Sequence, residues 1–235
     1  MTMMITERQA RLTARQGEIL DRIVREYIER AIPVSSQLLE KKHKFGVSPA
    51  TIRNEMQELA DQGYLSQPHT SAGRVPTDKG YRFFVDKLLE GSPAPLPAGR
   101  QANPSVRSHI TLSQWIGEIT NFLAEESSEL ALGYSANEKI VWKEGWQDIF
   151  EEPEFLEPGL ASSFARMIDD FEENIEELLL PEIKIYIGKE NPVSNNKEFS
   201  IITAGFDGGL FAILGPKRMS YDKNIKLIKK LWEKI

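Results

Sequence analysis

Apolar side chains in the first third of the chain recur every three or four residues, which is the period of an amphipathic helix. One such run extends from Thr13, a residue type favoured as an N-cap, and stops before Pro33. A shorter run follows Ser35 and Ser36, either of which can cap it, and is closed by Gly46. The pattern therefore predicts two helices joined by a short connection.

The dipeptide Ser48-Pro49 predicts the start of a third helix, because serine caps free N–H groups and proline presets the backbone at the first helical position. This helix is expected to run to about Gln62. Its apolar residues share one face, whereas Arg53 and Asn54 point away from that face. The outer surface of the helix is therefore expected to be polar and rich in hydrogen-bonding groups.

A strand-like pair, Tyr64-Leu65, comes next, followed by a turn-rich loop from Ser66 to Pro76 and a fourth helix capped by Thr77. The predicted order is helix, helix, turn, helix, hairpin, helix. This order is typical of the winged-helix arrangement of the helix-turn-helix class. In that class the second helix of the pair enters the major groove of DNA.

The later part of the chain has a different pattern. Residues 106–132 and 151–180 carry apolar side chains at helical spacing. From Glu182 the period changes to two, which predicts about three strands, and Ser220 caps a last helix. The whole chain is therefore expected to be an α+β protein.

A proline-rich stretch separates the two patterns. Residues 91–105 contain four prolines and two glycines, with Leu96 as their one large apolar side chain, so they predict an interdomain linker. The linker divides the chain into a predicted DNA-binding domain, residues 1–90, and a second domain, residues 106–235.

Composition excludes several classes of protein. Hydrophobic residues make up 40% of the chain and charged residues 27%, the mix of an ordinary globular protein. No apolar run is long enough for a membrane span and no secretory signal is evident, so we expect a cytoplasmic protein with no membrane partner. The chain has no cysteine and three histidines, and no catalytic or phosphate-cradling motif is present. We therefore expect neither an enzyme nor a bound cofactor or metal.

The net charge of −6 is unevenly distributed. Residues 1–90 hold 14 Lys and Arg against 12 Asp and Glu, whereas residues 91–235 hold 15 against 23. Between Glu118 and Glu182 there are 18 acidic residues and three basic ones. Because phosphate backbones are repelled by acidic surfaces, an anionic partner is expected to bind the first 90 residues.

The third helix and the loop after it hold the candidate DNA-contacting side chains. Arg and Asn are the types that make bidentate contacts with guanine and adenine, which favours Arg53 and Asn54 as base readers. The loop supplies donors short enough to meet phosphates, and Arg74 could enter a minor groove. An ordinary solvated helix face and an ordinary surface hairpin are the alternative interpretations. The further candidates are Thr51 and Gln57 on the helix and Gln67, His69, Thr70 and Ser71 on the loop.

Several stretches carry a resemblance to a known family. They are residues 12–16 (LTARQ), 47–56 (VSPATIRNEM) and 67–82 (QPHTSAGRVPTDKGYR), then 187–191 (IGKEN) and 215–221 (GPKRMSY). These closely resemble the heat-inducible transcription repressors of the HrcA family. The resemblance implies an N-terminal winged helix-turn-helix domain and a C-terminal GAF-like α/β domain. Because members of that family are usually longer, the C-terminal domain is expected to be reduced in size.

The same resemblance implies a function. Its members are homodimers that bind an inverted-repeat DNA operator upstream of chaperone operons, repress them, and depend on the chaperonin for active folding. Carried onto this chain, base or phosphate contacts from the third helix would come from Ser48, Thr51, Arg53, Asn54 and Gln57. The wing contact would come from His69, Thr70, Ser71 and Arg74.

A rival hypothesis is a protein-binding adaptor or sensor. In that case the shortened second domain no longer dimerises, and its acidic helices engage a chaperone while DNA specificity is small. A monomer without operator preference would favour the adaptor, and a dimer with such preference would favour the repressor.

Overall fold

The computed structural model of the chain describes residues 12–69, 72–90 and 111–232. It divides into two units, residues 1–84 and 85–235, which we call the N-terminal and C-terminal units. The stretch predicted as a linker, residues 91–105, lies outside the described residues.

The described part of the N-terminal unit consists of helices and one small hairpin. In chain order these elements are α1 (Ala14–Arg30), α2 (Ser36–Lys42), α3 (Pro49–Asp61), β1 (Leu65–Ser66), β2 (Val75–Pro76) and α4 (Asp78–Glu90), within which the division between the units falls.

Local sequence signals set the starts of these helices. The Thr13 hydroxyl accepts a hydrogen bond from the Gln16 amide at 3.2 Å, and the Gln16 side chain accepts one from the Thr13 amide at 3.1 Å. This reciprocal pair is a capping box. Ser35 and Ser48 cap α2 and α3 through single hydrogen bonds. The helix starts predicted in this region are therefore confirmed.

The core of the N-terminal unit lies where α1 packs against α3 and β2, with α2 packed on α3. Each fully buried Leu, Ile, Val or Phe side chain contributes about 1.5–3 kcal/mol through removal of apolar surface from water. The largest contributors are Ile19, Leu20, Ile23 and Val24 of α1, Leu39 of α2, Ile52 and Leu59 of α3, and Tyr81 and Phe84 of α4.

The described part of the C-terminal unit wraps helices around one sheet. Its elements are α5 (Leu112–Ser127), β3 (Leu130–Ser135), β4 (Ile140–Glu144), α6 (Trp146–Phe150), α7 (Leu160–Glu173), β5 (Ile183–Ile187), β6 (Phe199–Phe206), β7 (Gly209–Pro216) and α8 (Tyr221–Trp232). Short 3₁₀ turns occupy Pro153–Leu156, Ile175–Leu178 and Gly188–Glu190.

The sheet is antiparallel, in the order β4-β3-β7-β6-β5. One face packs on α7, where Leu132 and Tyr134 of β3 join a buried cluster with Phe164 and Phe171. The opposite face meets α5, and a Cβ at Gly133 would collide with the Thr120 hydroxyl of that helix. Helices on both faces explain why β3, β6 and β7 are buried along their whole lengths. The α+β class is confirmed.

Three details of the predicted pattern are wrong. The helix predicted to reach residue 132 ends at Ser127, because Ser128 adopts a left-handed backbone (φ 60°) and the chain enters β3. The predicted helix over 151–180 is interrupted at Pro153 and again at Gly159 (φ 88°), so α7 is shorter than expected. The sheet has five strands rather than about three, since β3 and β4 were not predicted.

Candidate nucleic-acid interface

Helix α3 presents a polar face to solvent. Its apolar side chains Ile52, Met56 and Leu59 are buried against the rest of the N-terminal unit. Three of the predicted contact residues, Arg53, Asn54 and Gln57, are exposed on the other side, whereas Thr51 is half-buried. The predicted division between an apolar inner face and a polar outer face is confirmed.

The first turn of α3 is fixed by Ser48. Its hydroxyl accepts a hydrogen bond from the Thr51 amide at 3.2 Å and lies 3.1 Å from the Thr51 hydroxyl. Ser48 is exposed. The Ser48 and Thr51 hydroxyls both lie at the start of the helix, where backbone N–H groups and the helix dipole favour an anion. The geometry suits a contact with a phosphate or a base edge near this end of α3.

A buried carboxylate holds the end of α2 against α1. Glu26 is 4% exposed, and both of its oxygens accept hydrogen bonds from Lys42 Nζ at 2.9 Å. His43 Nε2 and Arg30 Nε lie 3.1 and 3.2 Å from the same carboxylate. Burial alone would raise the pKa of Glu26, but hydrogen bonds from Lys42 and His43 and the charges of Lys42 and Arg30 hold it below its ordinary value. These interactions of Glu26 with Lys42, His43 and Arg30, here called the clamp, position the turn that leads into α3.

The hairpin after α3 is fastened to the connection between α1 and α2. Val34 and Arg74 exchange backbone hydrogen bonds of 2.9 and 2.8 Å as an antiparallel bridge. A Cβ at Gly73 would collide with the Val34 carbonyl, so this close approach requires glycine. The base of the predicted wing is therefore held in register with the helix-turn-helix.

The side chain of Arg74 is directed to α3. Its Nη2 donates a hydrogen bond of 2.7 Å to Gln57 Oε1, and Gln57 Nε2 in turn donates to Asp61 at 2.8 Å. Arg74 Nε is buried and has no hydrogen-bond partner among the described residues. The structure thus brings two predicted site residues, Gln57 and Arg74, into direct contact.

The tip of the wing is only partly described. His69 is exposed and its carbonyl accepts a hydrogen bond from the Ala72 amide at 2.9 Å. Thr70 and Ser71 lie outside the described residues. The structure places Gln67 at the base of the loop, where its side-chain amide donates to the Ala72 carbonyl at 3.0 Å.

A groove of about 440 Å³ opens between the start of α2, α3 and the wing. The sequence predicts Ser35 and Ser36 only as helix caps and gives no signal for Gln37, because the approach of α2 to the wing depends on the distant Val34–Arg74 bridge. The groove is lined by Ser35, Ser36, Gln37, Arg53, Met56, Gln67, Ala72, Gly73 and Arg74.

The C-terminal unit contains a second buried carboxylate in different surroundings. Glu129 is 5% exposed and its Oε2 has no hydrogen-bond partner among the described residues. Arg218 donates instead to Glu154, at 2.5 and 3.0 Å, and to Glu152. Burial raises the pKa of Glu129 well above its ordinary value, and the negative charges of Glu152 and Glu154 act in the same direction.

The residues that the structure describes include neither a metal-binding cluster nor a helix that could span a membrane. They contain no group of three or more His, Asp or Glu side chains that could hold a metal ion. None of their helices combines the length and the apolar character needed to cross a lipid bilayer.

The family model described as "HrcA protein C terminal domain" matches residues 100–225, which is more than half of the chain. The chain belongs to the HrcA family. This confirms the resemblance seen in the sequence. The matched range covers most of the described C-terminal unit, from α5 into the first turn of α8.

Curated relatives support the same family. A heat-inducible transcription repressor HrcA of Streptomyces avermitilis is 43% identical over 121 residues, which are 52% of this chain and 36% of that protein. The HrcA repressor of Natranaerobius thermophilus is 59% identical over 78 residues, 33% of this chain and 23% of that protein. The matched parts thus span about a third or less of the lengths of these HrcA relatives.

A solved structure shares the fold. The crystal structure of a hypothetical protein, 20% identical to this HrcA family member, superposes with a TM-score of 0.77 over 95% of this chain and 97% of that one. At that identity the likeness extends to the fold alone.

Proposed function

We propose that this chain is a sequence-specific DNA-binding transcriptional repressor of heat-shock genes that encode chaperones. The observation that carries the proposal is the exposed polar face of α3, with the wing fastened beside it by the Val34–Arg74 bridge and the Arg74–Gln57 hydrogen bond. A helix of this kind, with a wing at its side, fits the major groove and the adjacent backbone of DNA. The names of the relatives, heat-inducible transcription repressors, support a regulator rather than an enzyme.

In the proposed complex Arg53 and Asn54 read base edges, since their side chains are exposed on α3 and make bidentate contacts with guanine and adenine. Ser48 and Thr51 contact bases or phosphates at the start of the helix, and Gln57 lies one turn further along. The wing residues His69, Thr70, Ser71 and Arg74 contact the flanking DNA. Replacing Arg53 by Ala is expected to weaken specific binding by about 1–3 kcal/mol and non-specific binding little.

The proposed assembly is a homodimer on an inverted-repeat operator. Residues 1–90 form the DNA-binding domain, residues 91–105 the linker, and residues 106–235 the dimerisation and regulatory domain. Two winged helices then meet two half-sites, and repression follows from occupation of the operator. The acidic residues between Glu118 and Glu182 disfavour DNA contacts by the second domain, which leaves binding to α3 and the wing. The chaperonin, as the partner that promotes active folding, would link repression to heat.

The test is fluorescence anisotropy with an inverted-repeat duplex of the family's operator type and a scrambled duplex of the same length and composition. Each is titrated at two salt concentrations, and the mass of the free protein is measured by sedimentation. A dimer with a preference of roughly 10³-fold or more at both salt concentrations supports the repressor. Equal, weak and salt-sensitive binding to both duplexes contradicts it.

A second candidate function is the chaperone-binding adaptor. It is favoured by exposed apolar side chains on the C-terminal unit: Leu156 is 87% exposed, and Phe150 and Trp146 are 43% and 37% exposed. They lie in a stretch, residues 144–157, that has six acidic residues and no basic one. A monomer that shows no preference between the two duplexes would favour this candidate.

A further inference from the structure

The groove between α2, α3 and the wing collects positive charge at a place where DNA would approach. Two guanidinium groups, those of Arg53 and Arg74, line it together with neutral polar side chains that include Ser36 and Gln37. No acidic side chain is among its described lining residues. Asp61, which is near in the hydrogen-bond chain, is engaged by Gln57. A cavity with this composition is suited to a single anion.

Arg74 is held in one orientation for such an anion. Its backbone is fixed by the bridge to Val34, and its Nη2 is anchored on Gln57 at 2.7 Å. Its Nε is buried, yet no described atom accepts a hydrogen bond from it. A buried donor on a charged group without an acceptor is unfavourable, so an oxygen-rich anion beside it would relieve this penalty.

Gln57 is already occupied on both sides. Its Oε1 accepts from Arg74 and its Nε2 donates to Asp61, so both ends of the amide are held and its orientation is fixed by these two bonds. This places Gln57 as a positioning residue that aims Arg74.

We propose that this groove seats one backbone phosphate of the bound DNA, with Arg74 as its charged donor and Gln57 as the residue that orients Arg74. The proposal rests on the proposed DNA-binding function and deepens it. It assigns Arg74 to the phosphate backbone rather than to a minor groove, and it makes the groove a source of affinity rather than of sequence preference.

The experiment compares Arg74→Gln with wild type on the inverted-repeat and scrambled duplexes over a series of salt concentrations. The control is Arg25→Gln, an equal change of charge at a residue bonded to Asp21 at 2.9 Å and stacked on Phe84. Removing a phosphate contact is expected to weaken both duplexes by the same factor, about tenfold. It should also reduce the slope of log K against log salt by about 0.9. The control should leave the slope unchanged.

A second variant guards against misfolding of Arg74→Gln. Gln37→Glu places a negative charge on an exposed lining residue that carries no core packing, and Gln147→Glu makes the same change on exposed α6. Gln37→Glu is expected to weaken binding to both duplexes equally, whereas Gln147→Glu should weaken binding to neither. Circular dichroism and the melting temperature of each variant report whether the fold is retained.

The outcomes separate this proposal from the proposed function. If Arg74→Gln weakens binding to the inverted repeat alone, or leaves the salt slope unchanged, the proposed phosphate site is overturned. A wild-type preference for the inverted repeat would then still support the repressor. Equal wild-type affinity for both duplexes, together with the expected reduction of the salt slope in Arg74→Gln, supports the proposed phosphate site and overturns sequence-specific repression. Binding to neither duplex overturns both.

A free anion is the remaining source of the same chemistry. Wild type and Arg74→Gln are therefore melted in inorganic phosphate and in chloride at matched ionic strength. No difference between the salts, together with the loss of slope on DNA, supports a DNA phosphate. A rise in melting temperature with inorganic phosphate that Arg74→Gln abolishes, without a change of slope on DNA, overturns the proposal in favour of a free-anion site.

Discussion

Two glutamates, one in each unit, are almost equally buried but have opposite electrostatic surroundings. Glu26 and Glu129 are 4% and 5% exposed. Glu26 accepts hydrogen bonds from both Lys42 and His43 and pairs with Arg30, whereas one oxygen of Glu129 has no partner in the described structure. Their pKa values move in opposite directions, down for Glu26 and up for Glu129.

The opposite pKa shifts follow from the structural role of each glutamate. In the N-terminal unit an ionised carboxylate joins two helices and aims the turn before α3, so its charge must be compensated. In the C-terminal unit Glu129 precedes a strand buried on both faces, and the nearby cation Arg218 is engaged by Glu152 and Glu154. A buried carboxyl group without its own cation is more stable in the neutral form.

The largest effect is expected from removing the cation of the C-terminal unit. Arg218→Met leaves Glu152 and Glu154 without their shared partner, and because the Arg218 side chain is only 11% exposed, the free energy of unfolding should fall by about 3 kcal/mol. Tryptophan fluorescence during urea unfolding measures this unit alone, because all four tryptophans lie beyond residue 84.

Lys217→Met is the matched control. Lys217 approaches Glu198 at 3.9 Å, and a weak pair at the surface should contribute less than about 1 kcal/mol. Equal losses for the two variants would show that Arg218 is no more important than its neighbour.

The next effect concerns the compensated glutamate. Glu26→Gln removes the acceptor charge shared by Lys42 and His43, and the N-terminal unit should lose about 2 kcal/mol of stability. Because the folded-state pKa of Glu26 is lowered, the wild-type advantage is present above the ordinary glutamate value and is lost as pH falls below it. Circular dichroism measures it, with Glu29→Gln, an exposed change on the same helix, as the control.

An unchanged midpoint at neutral pH for Glu26→Gln would contradict the clamp. A shift of the tryptophan transition in that variant would instead indicate that the change is felt outside the N-terminal unit.

The same substitution at Glu129 should have the opposite sign. The raised folded-state pKa means that wild-type stability is full below the ordinary glutamate value and declines as pH rises from there towards the raised pKa. Glu129→Gln keeps the shape without the charge, so it should match wild type near pH 4 and exceed it by about 1 kcal/mol near pH 8. Urea unfolding followed by tryptophan fluorescence at both pH values measures the difference, and destabilisation near pH 8 would refute it.

The regions also differ in how far their sequences predict their structure. Caps at Thr13, Ser35 and Ser48 act within three residues, so the helix starts and the exposed face of α3 could be predicted. Strand β3 could not, because burial on both faces removes the alternation that marks a strand. Its apolar residues then continued the helical pattern of α5.

The candidate site shows the same limit. Exposure of Arg53 and Asn54 follows from helical periodicity, and both were predicted as surface residues. The contact between Arg74 and Gln57, and the groove beside it, depend on the bridge to Val34 and on the requirement for Gly73. Pairings between residues this far apart in the chain leave no local periodic signal, which is why α2 was not expected to border the site.

The smallest effect is expected at Ser48, whose hydroxyl is hydrogen-bonded yet exposed, in contrast to the two buried glutamates. Ser48→Ala removes the cap of α3 and should reduce the stability of the N-terminal unit by about 1 kcal/mol, as measured by circular dichroism. Ser48→Asp can still cap the helix, so its stability should return close to wild type, but its negative charge should repel a phosphate at the start of α3. Weaker duplex binding by Ser48→Asp than by Ser48→Ala therefore assigns Ser48 to the DNA contact as well as to the cap. If the two variants bind DNA in the order of their stabilities, Ser48 serves the fold of the helix alone.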